Sequence, residues 1–560
     1  MSSRFESVTI PAPDRGWRPA MLILLVSVWL ALAGNLPLWR TVWPLPELAG
    51  ARGVAFAVGL FVWIVAALHM LLSLIAWKGL LRPVLLLLII TAAANSYFML
   101  QYGVVIDATM MANVANTDVR EVRDLLSWTM LLVVLLLVVV PGWWLMRQRL
   151  TFRPLWPQAW RNLAGAALGL TVLLLVTLLM FQDLASLMRN HKQVRYLVNP
   201  LNTLYASGKL AGDAFFHVSK TRQPIGLDAH LGAGPAAAGR VPLVVLVVGE
   251  TARAANFSLG GYARPTNPQL ERLAASGVGQ LTYYSAVRSC GTNTQTSLPC
   301  MFSHLDKDAY ESSRQPYENL LDVLQRAGLA VLWIDNQSGC KGLCDRVAHA
   351  DTYNLKLPEL CNDGECYDEV MLKDLDQRIA ALDPARRARG VVLVLHQMGS
   401  HGPAYFRRSP PAFKAFMPEC TSNVLQECPR EQLVNAYDNT ILYADHVLAS
   451  TVQWLSSKPQ ADAYDSAMLY LSDHGESLGE NNLYLHGLPY ALAPDTQTHV
   501  PMISWLSDAM RDRLGLRSDC LKTRAADKLS HDNLFHAMLG LLDVKTDLYR
   551  KDLDWFAACR

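Results

Sequence analysis

VPLVVLVVGE, residues 241–250, is an apolar run that stops at an acid. It is far too short to cross a bilayer and is rich in valine, so it reads as a strand buried on both faces, the pattern of a parallel sheet covered by helices. Three later runs repeat the form: AVLWIDN from Ala330, GVVLVLHQMGSHGP from Gly390 and AMLYLSDHGESLGE from Ala467. Helical patterns separate them, which predicts an α/β domain with a mostly parallel central sheet. Ligands of such sheets gather beyond the carboxyl ends of the strands. The reactive side chains stand there: Glu250 after the first run, His396 and His401 after the third, and Asp473, His474 and Glu476 after the last.

Towards the N-terminus the composition changes. The whole chain of 560 residues is 51% hydrophobic and only 18% charged, too apolar for a soluble protein of this size. Five apolar runs are long enough to span a bilayer, Ala20 to Trp39, Val54 to Trp77, Pro83 to Gln101, Leu125 to Met146 and Leu163 to Gln182. The first continues into Asn35, Leu36 and Pro37 without a small-residue cleavage pattern, so it is expected to stay as an anchor. Arg4, Arg15, Arg18, Lys78, Arg82, Arg147, Arg149, Arg153 and Arg161 fall on one side, against Arg40, Arg52, Arg120 and Arg123 on the other. The positive-inside rule then puts the N-terminus in the cytoplasm and everything after the fifth span outside. The expected division is residues 1–182 as a five-helix transmembrane domain, 183–240 as an interfacial helix and a GAGPAAAG linker, and 241–560 as the catalytic domain. With 50 Lys plus Arg against 48 Asp plus Glu, nothing suggests a nucleic-acid partner.

The ten cysteines begin at Cys290 and all lie on the side where thiols oxidise. Their spacing suggests Cys290 with Cys300, Cys340 with Cys344, Cys361 with Cys366 and Cys420 with Cys428, leaving Cys520 for Cys559. Metal binding by the thiols is the alternative, but no paired CxxC pattern supports it.

The strand-end residues suit a dication. Glu250, Asp473 and His474 with one open position is how catalytic zinc is held, and His401 and His486 could serve a second metal or a substrate phosphate. SCGTNTQTSLPCMFS, residues 289–303, offers a nucleophile where a helix begins. A hydroxyl at a helix N-terminus beside a dication gains stabilisation of its alkoxide. Thr292, Thr294, Thr296 and Ser297 all qualify on residue type. In the loop after the third span, Asp107, Asn113, Thr117, Asp118 and Glu121 gather near the membrane surface, either to meet a lipid head group or as a solvated loop with a helix cap. His69, midway along the second span, is expected to pack and hydrogen-bond against a neighbouring helix.

VVGETARAANFSLGGY, SCGTNTQTSLPCMFS, LHQMGSHGPAYF, NAYDNTILYAD and LSDHGESLGE with LHGLPY resemble, in content and order, the phosphoethanolamine transferases that modify lipid A, an alkaline-phosphatase-like family that includes enzymes of polymyxin resistance. The resemblance covers nearly the whole chain. It implies zinc held by Glu250, Thr294, Asp473 and His474, one ion tightly bound with a second in turnover left open, and Thr294 as the residue that becomes phosphorylated. It implies substrate-phosphate and second-metal roles for Lys341, His401, Glu476 and His486, and contact of Asn113, Thr117 and Glu121 with the phosphoethanolamine head group. Phosphatidylethanolamine would be the donor and lipid A the acceptor, with a monomer working in a bacterial inner membrane and its catalytic domain in the periplasm. Other acceptors of the family (core heptose, Kdo or protein) and plain phosphodiester hydrolysis stay open. Asn293 departs from the Ser that members often carry beside the nucleophile. The Cys340 and Cys344 pair around Lys341 occurs in only some members. Sulfatases are disfavoured because the nucleophile loop lacks their C/S-x-P-x-R run.

Overall fold

The computed structural model describes residues 16–45, 50–116, 122–123, 125–217, 221–232, 240–313, 315–352, 355, 357–362 and 365–560. The chain forms two compact units, Met1–Gln101 with Ser127–Gly208, and Tyr102–Leu126 with Lys209–Arg560.

Among the described residues, five helices are long and apolar enough to cross a membrane: Pro19–Val42, Gly50–Leu74, Leu81–Tyr102, Trp128–Arg147 and Leu155–Leu179. The fifth begins well before the expected Leu163, because its polar first turns find partners inside the unit. Buried Gln158 and Asn162 bond each other at 2.8 Å and both donate to the Ala76 carbonyl. In the fourth, Pro141 has no N–H to give, and a π turn over Leu135–Val139 takes up the mismatch. His69 lies beside Gly165 of the fifth helix, and its Nδ1 has no hydrogen-bond partner among the described residues. After helix Phe181–Asn190 the chain is fastened by asparagines. The Asn35 amide donates to the Asn199 carbonyl at 2.6 Å and accepts the Asn199 N–H at 2.8 Å, while Asn95 reaches the Asn199 side chain and the Thr203 hydroxyl. The amphipathic stretch that follows is the helix Leu201–His217. Most of the GAGPAAAG run lies outside the described residues.

The second unit is built on an eight-stranded sheet. Its strands are β1 (Val241–Gly249), β2 (Gln280–Arg288), β3 (Ala330–Asp335), β4 (Ala348–Asp351), β5 (Val391–His396), β6 (Tyr464–Ser472), β7 (His499–Leu506) and β8 (Leu529–Ser530), arranged β8-β2-β7-β6-β1-β5-β3-β4. All neighbours are parallel except β7, which runs against both β2 and β6. Alternation along β1 divides the core. Leu243, Val245 and Val247 face Leu448 and Val452 of helix Arg430–Ser456, whereas Val244, Leu246 and Val248 face Leu320–Arg326 and Asp532–Leu541. The result is three layers, helices on both faces of a fully buried sheet. The register pairs Gly249 with Ser472 and Val248 with His396, so Glu250 and Asp473 leave the sheet side by side, next to the loop after β5.

The five disulfides pair as their spacing predicts: Cys290–Cys300, Cys340–Cys344, Cys361–Cys366, Cys420–Cys428 and Cys520–Cys559. The loop after the third span belongs to this unit. Asp107 caps its short helix, Ala108–Ala115, by accepting the Met110 N–H at 2.8 Å, and that helix packs against Thr294–Met301.

Candidate active site

The strand ends deliver three acids and bases to one point. Glu250, Asp473 and His474 are wholly buried, and one donor atom from each lies within 4.8 Å of the others. Thr251 adopts φ +60, uncommon outside glycine, and its N–H donates to Asp473 Oδ1 at 3.2 Å while its hydroxyl donates to Glu250 at 2.6 Å. The backbone strain at Thr251 thus orients both carboxylates. His474 sets Nδ1 2.9 Å from the Gly475 carbonyl, so Nδ1 carries the proton and Nε2 turns to the cluster, 3.3 Å from Glu250 and 3.4 Å from Asp473.

Four hydroxyls competed for the nucleophile on residue type, and their partners now separate them. Thr292 donates to the Leu488 carbonyl at 2.6 Å. Ser297 donates to the Asp473 carbonyl and accepts the Gly291 N–H. The Thr296 side chain lies against Gly291. Thr294 Oγ1 instead meets the cluster, 3.0 and 3.2 Å from the two Glu250 oxygens and 3.4 Å from His474 Nε2. It is the first residue of helix Thr294–Met301, behind Asn293, whose side chain caps the helix through the Thr296 N–H at 3.0 Å. Ser, also a favoured N-cap residue, could cap this helix in the same way.

The donor set fits zinc. Two buried carboxylates share one imidazole, so the cluster is short of positive charge. Burial and then the neighbouring Glu250 push Asp473 up to about 7. Burial alone would lower His474, but Asp473 and Glu250 lift it to about 10. Burial likewise opposes the Glu250 charge, and His474 overrides it and holds this carboxyl well below its usual range. Asp473 Oδ2 is buried without a hydrogen-bond partner among the described residues, as a metal ligand would be.

Beside this centre stand His486, Glu476 and His401. The His486 ring lies 4.3 Å from His474 and 5.7 Å from His401, centre to centre. Glu476 accepts the Tyr405 hydroxyl at 2.9 Å and turns its other oxygen to His486 Nδ1 at 3.4 Å; burial pushes its carboxyl up to about 8. His401 Nδ1 has no partner among the described residues. Lys341, φ +49, sits between Cys340 and Cys344 and donates to the Ser338 carbonyl and hydroxyl, beyond the end of β3, not to the Thr294 cluster. Asn113 lies on the helix Ala108–Ala115, whose Met110 packs on Gly487, next to His486. Thr117, Asp118 and Glu121 lie outside the described residues.

Three contributors escaped the sequence reading. Tyr405 holds Glu476, buried Arg253 donates to the Glu476 carbonyl and to Glu480, and His531 bonds the loops on either side of the centre. Arg253 stands only three residues after Glu250 and could have been flagged there; His531 carried no such signal.

Residues 242–544 match the Sulfatase family, and residues 64–215 match a family described as Phosphoethanolamine transferase EptA/EptB. The chain is 40% identical to the Phosphoethanolamine transferase EptA of Salmonella typhimurium over 546 residues, 96% of each chain. It is 37% identical to the Phosphatidylethanolamine transferase Mcr-1 of Escherichia coli, covering 95% of this chain and 96% of that one. Among solved structures, the integral membrane lipooligosaccharide phosphoethanolamine transferase A (EptA) from Neisseria meningitidis superposes with a TM-score of 0.90 at 36% identity, covering 96% of this chain and 98% of that chain. The chain therefore belongs to the phosphoethanolamine transferase EptA family.

Proposed function

We propose that this protein transfers phosphoethanolamine from phosphatidylethanolamine to a phosphate of lipid A through a covalent phosphoethanolamine-threonine intermediate, and so confers resistance to polymyxin. The observation that carries this is Thr294 Oγ1 at a helix N-terminus, 3.0 Å from Glu250 and 3.4 Å from His474, while the Thr292 and Ser297 hydroxyls donate to the Leu488 and Asp473 carbonyls. Likeness over nearly the whole length to a lipooligosaccharide transferase supports a glycolipid acceptor.

Glu250, Thr294, Asp473 and His474 would hold the zinc, whose charge when bound makes the hydroxyl a better nucleophile and offsets negative charge on the phosphoryl oxygens. Thr294 Oγ1, which has given its proton up to solvent before the attack and returns to that state at the end of the cycle, attacks phosphorus, the bond to the diacylglycerol oxygen breaks, and His401 gives that oxygen a proton. A phosphate oxygen of lipid A then attacks the threonine ester and releases the Thr294 oxygen. Tyr405 steadies Glu476 against His486, and with Lys341 these side chains meet the substrate phosphates; the same histidines would take any second ion during turnover. Asn113, Thr117 and Glu121 would bind the ethanolamine head group. Five bridges among ten cysteines support an oxidising compartment, so we read the catalytic domain, residues 241–560, as periplasmic, with residues 1–182 in the inner membrane, the N-terminus in the cytoplasm and residues 183–240 between them.

Mass spectrometry of lipid A from a polymyxin-sensitive Gram-negative host expressing either this protein or Thr294→Ala tests the reading. An added phosphoethanolamine mass with the first and none with the second is expected. No added mass from folded, membrane-inserted protein would overturn the lipid A assignment and turn attention to core sugars and to diacylglycerol release without transfer.

A further inference from the structure

Far along the chain from Glu250, Thr294 and Asp473, His531 is 1% exposed and lies between the two loops that meet at the active site. Its Nδ1 receives the Cys290 N–H at 3.1 Å, on the loop that leads to Thr294. Its Nε2 lies 3.0 Å from the carbonyl oxygen of Ser472, the last residue of β6 and the neighbour of Asp473. An N–H can only donate and a carbonyl can only accept, so these two partners fix one tautomer: neutral, with the hydrogen on Nε2. The imidazolium would point a second N–H at the Cys290 N–H. Burial pushes His531 down to about 3, in keeping with that neutral state. Ser297 completes the bridge from the same helix as Thr294: its hydroxyl lies 3.3 Å from His531 Nδ1, donates to the Asp473 carbonyl and accepts the Gly291 N–H at 3.2 Å. The ring itself is anchored by its own backbone, since His531 N–H bonds the Arg288 carbonyl at 3.0 Å at the end of β2.

We propose that His531 is a positioning residue: as a neutral Nε2–H imidazole it ties the nucleophile loop to the metal-ligand loop and so sets where Thr294 Oγ1 stands relative to Asp473 and His474. The inference rests on the transfer proposed above and on no other role for the site. Neither loop holds the other by regular sheet pairing at this point. β2 and β6 are not neighbours in the sheet, since β7 lies between them, so the imidazole spans a gap that backbone pairing leaves open. A group that fixes such a separation acts on the reaction more than on substrate affinity, because a shift of about 1 Å in the attacking atom costs on the order of 100-fold in rate.

The experiment uses the full-length protein in detergent with phosphatidylethanolamine and lipid A. It compares wild type with His531→Ala, which removes both bonds, and His531→Asn, whose carboxamide oxygen can still accept the Cys290 N–H. Steady-state kinetics and hydrogen exchange by mass spectrometry are read on each. His531→Ala is expected to lose about 100-fold in kcat with KM changed by less than about twofold. Exchange should rise in peptides covering residues 289–298 and stay slow in the central strands. His531→Asn is expected to recover a large part of kcat and the protection of residues 289–298. A His531→Ala protein with wild-type kcat would overturn the proposal, as would uniform loss of protection across the sheet in both variants. Should wild type itself transfer nothing, the transferase reading falls, and the exchange of residues 289–298 alone decides whether His531 holds that loop.

Discussion

Gly399 stands directly against the backbone of Glu250: a Cβ at that position would lie 2.6 Å from the Glu250 carbonyl oxygen and 3.0 Å from its amide nitrogen. The loop after β5 is drawn there by Ser400, whose N–H donates to the same carbonyl at 3.0 Å, and by Asp368, which accepts the Met398 and Gly399 N–H groups at 2.8 and 2.9 Å. Gly399 also has φ +54, where a side chain costs roughly 1–2 kcal/mol. Gly399→Ala should therefore lower stability by at least that amount and push Glu250 off its position. Thermal unfolding and zinc content of the purified variant check this together. A lower melting temperature with undiminished zinc would show that Gly399 supports the fold and not the ligand.

The same buried charges would make removal of the proposed zinc costly. With the ion gone, Glu250 and Asp473 face each other with only His474 between them, both out of water. A ligand present at about a thousand times its Kd stabilises the folded state by about 4 kcal/mol. Exhaustive chelation is expected to lower the melting temperature by several degrees, with recovery on adding zinc. Asp473→Asn removes one of the two charges, so its melting temperature should respond much less to the chelator. Equal responses from wild type and variant would remove Asp473 from the ligand set.

What could be read in advance follows the strength of each local signal. The long apolar helices were visible because a span that faces lipid must be apolar along its length, and the uninterrupted strands β1, β3, β5 and β6 because burial on both faces demands apolar residues throughout. β2 was missed: QLTYYSAVR alternates between buried and partly exposed positions near the sheet edge, and its polar residues mask the pattern. β7, HVPMISWL, carries Pro501 within the run, which argues against a central strand by rule. The candidate metal ligands Glu250, Asp473 and His474 stand at strand ends, and their clustering was legible by position. Residue type alone did not rank Thr294 above the other three hydroxyls, since which of them meets the cluster depends on where the Leu488 and Asp473 carbonyls fall in space; only the family resemblance singled it out. His531 joined the site only through tertiary contacts of the chain's last tenth.

His536, one turn beyond His531, predicts an acid-side loss of stability. It is buried, and its Nδ1 accepts the Arg550 N–H at 3.2 Å. Burial, then the Arg550 charge, pushes it down to about 4 from an ordinary value of 6.5. A histidine with a lowered folded pKa favours the neutral form, so its contribution is complete above pH 6.5 and is lost as pH falls towards 4. With solvent screening allowed for, the loss is on the order of 2 kcal/mol. His536→Gln does not titrate there, and its melting temperature between pH 7 and pH 5 should fall less steeply than that of wild type. Parallel slopes would assign the acid sensitivity to other groups.

Asn35 makes a last prediction, in the membrane unit. Its side chain is fully buried and serves three backbone groups at once: the Leu30 carbonyl at 2.8 Å, the Asn199 carbonyl at 2.6 Å and the Asn199 N–H at 2.8 Å. Asn199 in turn receives the Asn95 amide at 3.3 Å, so one asparagine fastens the chain after the fifth helix to both the first and the third. Apolar surroundings give the freed groups of Asn199 no water to turn to, and each buried polar group left unmatched costs about 1–3 kcal/mol. Asn35→Leu is nearly isosteric but removes every bond. It should lower the detergent melting temperature and speed proteolysis between residues 191 and 208, while Asn35→Asp, which keeps the acceptor for the Asn199 N–H, should lose less. Equal losses in the two variants would mean that the asparagine stabilises through its donor side alone, by way of the Leu30 and Asn199 carbonyls.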